Sequence, residues 1–308
     1  MTGKLSTGRV FVPQLTALAL VTLLAALPLF SHSGAQQSNL DQPDQQIKSS
    51  PLSSEQEFAV GCLTILPCQV SPASIPWESI KQLESLVVGR IAESDPVAFL
   101  QQGLTRYKNE VQGYRCIFDK QEKVNGKLLP QESILIHFRE KPFSVHMEWK
   151  QGGKAFRTLY DVDHNDKVLL ARPSRLVSFS MYKQLTANDV KSSSRFGVDK
   201  FGMFLGAKDT VEHMVIAQDK KMLHLKYLGK FKLGERVCYK FVRSPYDTPE
   251  GLPGENLNEL TIYVDAETRM QVRSILKDND GNLIADYYFR DIVVNPTFDA
   301  KQFTQEGL

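Results

Sequence analysis

From residue 114 onward, large apolar side chains recur at every second position. Tyr114, Cys116 and Phe118 alternate with polar neighbours, and Ile134, Ile136 and Phe138 share one face of the next run. Phe143, Val145, Met147 and Trp149 continue the pattern, followed by Phe156, Thr158, Tyr160 and Val162. A period of two is that of a β-strand with one buried face. Asn125-Gly126 is a two-residue hairpin signal, and Pro142 interrupts the run between Phe138 and Phe143. Further strands are predicted over residues 168–171, 176–182, 222–227, 236–243, 260–264, 271–277 and 283–290. The last two are joined by Asp278-Asn279-Asp280-Gly281-Asn282.

Ahead of the strands the period is that of a helix. Residues 76–92 place Trp77, Ile80, Leu83, Leu86, Val87 and Ile91 on one stripe. A second helix starts with Asp95 as N-cap and Pro96 at its first position. Val97, Leu100, Leu104, Tyr107 and Val111 form its apolar stripe, and Gly113 ends it. Residues 187–217 are mixed: Phe196, Phe201, Met203, Phe204 and Leu205 stand among glycines, and a short helix is predicted over 209–217. Residues 244–254, rich in Pro and Gly, read as a loop, and His164-Asn165-Asp166 as a turn.

About ten antiparallel strands preceded by two helices exclude an alternating βαβ fold. The pattern predicts a mainly β (α+β) chain: a large curved antiparallel sheet with helices over its concave face. The two early helices and the middle segment are the candidates to cover that face.

The first residues stand apart. Lys4 and Arg9 precede an apolar run over 15–30, and Ser33-Gly34-Ala35 supplies small residues. This is the pattern of a secretory signal cleaved near Ala35. The alternative is an uncleaved anchor, although the run, interrupted by two Thr, is marginal for a bilayer of ~30 Å. Residues 36–57, with six Gln, five Ser and two Pro, read as a disordered linker. The expected organisation is therefore a signal over 1–35, a linker and N-terminal segment over 36–74, and one domain over 75–308. The mature protein would be periplasmic or secreted, without a stable membrane span. Val60-Gly61-Cys62 lies too far downstream to be a lipidation site, so no lipid anchor is expected.

Composition narrows the classes further. Hydrophobic residues are 42% and charged residues 23% of the 308, which excludes wholesale disorder and a polytopic membrane protein. Lys and Arg number 37 against 35 Asp and Glu. Two of the basic residues and none of the acids lie in residues 1–35, so the remainder balances at 35 against 35. There is no net field to steer a nucleic acid. Export permits disulfides. Cys62 and Cys68, flanking Pro67, are the simplest pair, with Cys116 and Cys238 either paired or buried as thiols; four reduced cysteines are the alternative. There is no CxxC motif.

No GxSxG, HExxH, Walker A or GxGxxG motif occurs. His137 and His146 alternate with apolar residues and are expected to face solvent. The 278–282 segment resembles a calcium loop but lacks the downstream Glu, so it reads as a turn. No catalytic residue, cofactor or metal site is expected.

Residues 115–128, with Phe118-Asp119-Lys120-Gln121-Glu122 and Asn125-Gly126-Lys127, are followed by His137-Phe138-Arg139-Glu140-Lys141-Pro142-Phe143-Ser144-Val145-His146-Met147-Glu148-Trp149. This stretch resembles the planctomycete family called domain of unknown function 1571, over about residues 95–303. More distantly, the chain is similar to the periplasmic lipoprotein carriers. Asp291-Ile292-Val293-Val294-Asn295-Pro296, then Phe298-Asp299 and Phe303, resembles their closing strand and terminal Phe. The resemblance implies an incomplete β-barrel with a helical lid over an apolar hollow that holds acyl chains. It implies that Phe118, Ile136, Phe138, Phe143, Met147, Trp149, Phe156 and Tyr160 line the hollow. Arg139 and Lys141 are the expected lid contacts; Lys141, directly before Pro142, lacks the planar fork of an arginine. The expected function is non-catalytic binding of a lipid or an acylated protein. The alternative is an envelope protein-interaction or sensor module with the hollow filled by its own side chains.

Overall fold

The structure is a computed structural model that describes Leu40, residues 44–47 and residues 77–308. The signal sequence, most of the linker, and Cys62 and Cys68 lie outside the described residues.

Thirteen described strands form one antiparallel sheet. They are β1 (Gln45–Ile47), β2 (Gly113–Val124), β3 (Lys127–Leu128), β4 (Glu132–Arg139), β5 (Ser144–Gln151), β6 (Arg157–Asp161), β7 (Val168–Arg172) and β8 (Met181–Gln184). After the middle segment come β9 (Leu225–Leu233), β10 (Arg236–Arg243), β11 (Leu257–Asp265), β12 (Gln271–Asp278) and β13 (Leu283–Val294). The spatial order is β1-β9-β10-β11-β12-β13-β2-β4-β5-β6-β7-β8, with β3 attached to β2 alone. The end strands β1 and β8 do not pair, so the barrel is open. The last strand pairs with β2, matching Phe289 to Phe118 and Tyr287 to Lys120.

The helices are α1 (Trp77–Ser94), α2 (Pro96–Glu110), α3 (Val162–Asn165), α4 (Asn188–Lys191) and α5 (Met203–Asp219). Asp95 caps α2 as expected, its carboxylate accepting from the Ala98 N–H at 2.9 Å. Alternation puts Tyr114, Cys116, Phe118, Ile134, Ile136 and Phe138 on the inner face, where all six are buried. α2 and α5 pack Phe99, Leu100, Val211 and Met214 against Tyr239, Phe241, Ile262 and Val264 of β10 and β11.

Five sequence expectations change. Within the expected linker over 36–57, Gln45–Ile47 form β1 against β9, because Asp44 is held there by Lys240 at 2.7 Å and the Tyr263 hydroxyl at 2.9 Å. The helix predicted over 209–217 begins six residues earlier, at Met203. Its first turn is hidden in an aromatic stretch, and Gly202, at φ +128°, makes the sharp entry. The strand predicted over 176–182 shrinks to β8, because Arg172 holds the Val177 carbonyl at 2.7 Å and shapes residues 173–180 into a loop. The turn predicted at His164-Asn165-Asp166 is the end of α3, which Asp161 caps. His146 does not face solvent: it is 3% exposed. The outer face of β4–β7 is covered by the segment after β13, whose Phe303 and Leu308 pack on Leu159 and Leu170. Phe298 stands edge-on to His137. Cys116 and Cys238 are both buried free thiols. Among the described residues no helix is long and apolar enough to cross a membrane.

Candidate functional site

The inner face between β13 and β5 is the place where the predicted hollow belongs. Phe118, Ile136, Phe138 and Met147 come together there as one buried cluster, with Phe143 and Trp149 half-buried at its margin. Tyr160 is buried beside Phe143, and its hydroxyl donates to the Asp166 carbonyl at 3.1 Å. Phe156 is not part of the cluster. Its ring lies instead among the guanidinium groups of Arg157, Arg172 and Arg175, at 4.8, 5.7 and 4.9 Å.

The hollow is filled by the chain's own middle segment. Phe201 sits at 5.3 Å from the Phe118 ring, 6.0 Å from Phe289 and 6.2 Å from Phe138. Met203 follows, fully packed, its N–H accepted by the Tyr114 hydroxyl at 3.2 Å. Phe204 stacks on Tyr107 of α2 at 5.3 Å. A cavity of about 20 Å³ lies between α2, α5 and the β11–β12 turn, bordered by Leu100, Tyr107, Met203, Phe204 and Met270. That is room for about one water molecule.

A buried polar network closes the far end of the insert. Lys120 and Glu122 point inward from β2, 2.6 Å apart, and the Ser194 hydroxyl donates to Glu122 at 2.9 Å. The Tyr287 hydroxyl donates to the other Glu122 oxygen at 2.7 Å. Arg195 reaches Tyr287 and forms a two-pronged pair with Glu255. Burial by itself would raise the Glu122 carboxyl. Lys120, Tyr287 and Ser194 outweigh it and hold the group below the usual carboxylate range. Burial likewise works against the Arg195 charge, and Glu255 more than restores it. Trp149 donates to Glu132 at 3.1 Å at the rim. Gly153 lies so close to that indole that a Cβ would fall 2.0 Å from it.

The lid contact is made by a residue between the two expected ones. Arg139 projects from the outer face, because β4 alternates and its neighbour Phe138 points in. It donates to Ser144 at 2.8 Å and lies 4.6 Å over the Phe303 ring, so it fastens the covering segment rather than the helices. Lys141 is exposed on the turn. Glu140, between them, accepts from the Tyr107 hydroxyl of α2 at 2.7 Å. Burial raises the Glu140 carboxyl, with Tyr107 and Lys141 opposing. A second anchor is Asn295. Its amide oxygen accepts from the Gln112 N–H at 2.7 Å and its NH₂ donates to the Glu110 carbonyl at 2.7 Å, closing the end of α2. Tyr107 was visible in sequence only as a stripe residue. Neither Glu140 nor Phe201 carried any periodic signal.

Among the described residues no group of three or more His, Cys, Asp or Glu is placed to share a metal ion. The arrangement can pack, clamp and bind.

No curated protein matches the sequence. Several solved structures are distantly similar. The Mycobacterium tuberculosis lipoprotein LppX is 12% identical, over 67% of this chain and 99% of that one, with a TM-score of 0.39. MucB in the Pseudomonas aeruginosa MucA/MucB complex is 11% identical over 68% of this chain, with a TM-score of 0.39, and the match spans 60% of that chain. A LolA-superfamily protein from Nitrosomonas europaea is 8% identical over 68% of this chain and 99% of that one, with a TM-score of 0.28. Likenesses at this distance carry no ligand or residue role across. The sequence profile described as protein of unknown function (DUF1571) matches residues 111–307, more than half of the chain, and the chain belongs to that family.

Proposed function

We propose that the protein is an exported, non-catalytic binding module that keeps its inner hollow filled with its own middle segment and meets its partner with its outer surface. The observation that carries this reading is the packing of Phe201 and Met203 onto Phe118, Phe138 and Phe289, with a cavity of only about 20 Å³ beside them under the helices. Ligand pockets span roughly 300–1,000 Å³, and burial of an acyl chain at ~0.8 kcal/mol per methylene needs a trough to lie in. Export rests on the pattern of the first 35 residues.

A second reading is lipid carriage, and the make-up of the insert favours it. Phe201, Met203 and Phe204 are apolar, and their departure would leave Phe118, Ile136, Phe138 and Phe289 facing an empty trough. Native mass spectrometry of gently purified protein, with titration of a fluorescent fatty acid, separates the two. The filled module shows protein mass alone and no saturable uptake. A copurifying lipid, or stoichiometric uptake by the unmodified protein, overturns it in favour of the carrier.

A further inference from the structure

The sheet leaves one end open at β8, and the loop before that strand is built unlike the rest of the surface. Leu176 is 97% exposed in this loop, and Phe179 in the loop and Tyr182 on β8 are exposed as well. This is the most exposed of the large apolar side chains in the described residues. The loop is held in place. Arg172 bonds the carbonyl of Val177 at 2.7 Å, and the Ser174 hydroxyl accepts from the Leu176 N–H at 3.2 Å. Phe156 lies beneath, packed on the Arg172 and Arg175 guanidiniums. Tyr182 stacks on His164 at 5.7 Å.

The charge around these apolar groups has one sign along the hairpin. Residues 167–187 contain Lys167, Arg172, Arg175 and Lys183 and no acid. Acids occur only at the flanks. Asp189 is paired with Lys183 at 2.7 Å, and Asp163 and Asp166 lie on the turn that carries His164.

We propose that the β7–β8 loop is a docking surface for an anionic membrane, with Leu176 and Phe179 entering the headgroup region while Arg175 meets the phosphates. Three features favour a membrane over a protein strand or pocket. The apolar groups protrude singly rather than line a groove, which suits an interface that yields around them. β8 offers four residues of free edge, short for strand addition. The acid-free basic flank matches an anionic leaflet, where each cation near the surface adds to the attraction. This inference is independent of whether the inner hollow is filled.

The test is co-sedimentation of the protein, taken from the soluble fraction of an expressing cell, with vesicles of pure phosphatidylcholine or of phosphatidylcholine mixed with phosphatidylglycerol. The wild type is expected to partition onto the phosphatidylglycerol vesicles and to be released by salt. Leu176→Asp is expected to lower that partition about tenfold, from the lost burial of one Leu side chain. Arg175→Glu is expected to lower it by a similar factor, about tenfold, through reversed charge. Leu176 makes no packing contribution that the fold needs, so Leu176→Asp should melt with the wild type. Absence of partition, or equal partition of wild type and Leu176→Asp, overturns the proposal. Loss of a captured protein partner in Leu176→Asp without any vesicle binding also overturns it and assigns the loop to that protein instead.

Discussion

At the scale of single residues the inner face depends on a few long-range partners. Phe201 contacts three aromatic rings from β2, β4 and β13. Its removal deletes most of a half-buried ring and leaves a void, so Phe201→Ala should cost about 3 kcal/mol. The denaturant midpoint should drop at unchanged m-value. If the segment merely rests on the sheet, the midpoint will hardly move. Tyr107 offers a finer test. Its hydroxyl lowers a Glu140 carboxyl that burial has raised. Tyr107→Phe should therefore push the Glu140 carboxyl higher still, as followed by side-chain NMR titration, and cost about 1 kcal/mol. A titration of Glu140 unchanged by the substitution would remove Tyr107 as its partner. These residues also mark how much of the site the sequence disclosed. Phe118, Ile136, Phe138 and Met147 were legible because a period of two assigns every second residue to a face. Phe201 and Glu140 were not, because a partner brought in from 80 residues away or set in a turn leaves no local period.

At the scale of elements, the sheet and the first two helices follow from local rules. Alternation, hairpin signals and the Asp95-Pro96 start placed β2 to β6 and α2 within a few residues. Element ends and fillers were less legible. The start of α5 was hidden because aromatic residues dominate its first turn, and residues 176–180 of the loop read as part of a strand because Leu176 and Phe179 are apolar yet exposed. The closing Asn295, by contrast, could be picked out as a motif, and its work is now physical. It joins β13 to the end of α2 by bonds to Gln112, Gly113 and Glu110. It also sits at φ +49°, a left-handed conformation that Asn tolerates. Asn295→Gly removes the bonds and keeps the backbone free, so it isolates the clamp. The expected cost is about 2 kcal/mol, with earlier hydrogen exchange in the last turn of α2. Asn295→Ala should cost more, since it adds strain at the positive φ. Equal effects of Gly and Ala would show that the clamp, not the backbone, dominates. Protection of α2 unchanged in both would remove Asn295 as its anchor.

At the scale of the whole molecule, the β4–β7 part of the sheet is covered on its outer face, and that is what sequence periodicity concealed. The segment after β13 has no period of its own, so His137 and His146 read as solvent-facing until Phe298, Phe303 and Leu308 are laid over that side. The consequence is a pH dependence. Burial holds both imidazoles down to about 4 from 6.5. Arg115, Lys150 and Arg157 add to the depression at His137, and His137 and Arg157 at His146. Glu148 opposes it at both, and the Gly307 backbone at His146. Between 6.5 and 4 the unfolded chain takes up protons that the native state refuses. Stability is then full above the unfolded value and falls as the pH drops through this window. The carboxylates held low, Glu122 and Glu148, begin to lose their contribution only near the ordinary value of 4.5, at the acid end of this window. Glu140, held high, works in the opposite sense and blunts the slope. Denaturant midpoints measured from neutral pH down toward 4 should therefore decline in the wild type and decline less in His146→Leu. Protease sensitivity of residues 296–308 should rise over the same window, because protonation places two cations beneath that segment. Parallel slopes for wild type and His146→Leu would sink the assignment. So would acid lability that leaves residues 296–308 protected, since the histidines act on the sheet through the segment that covers them.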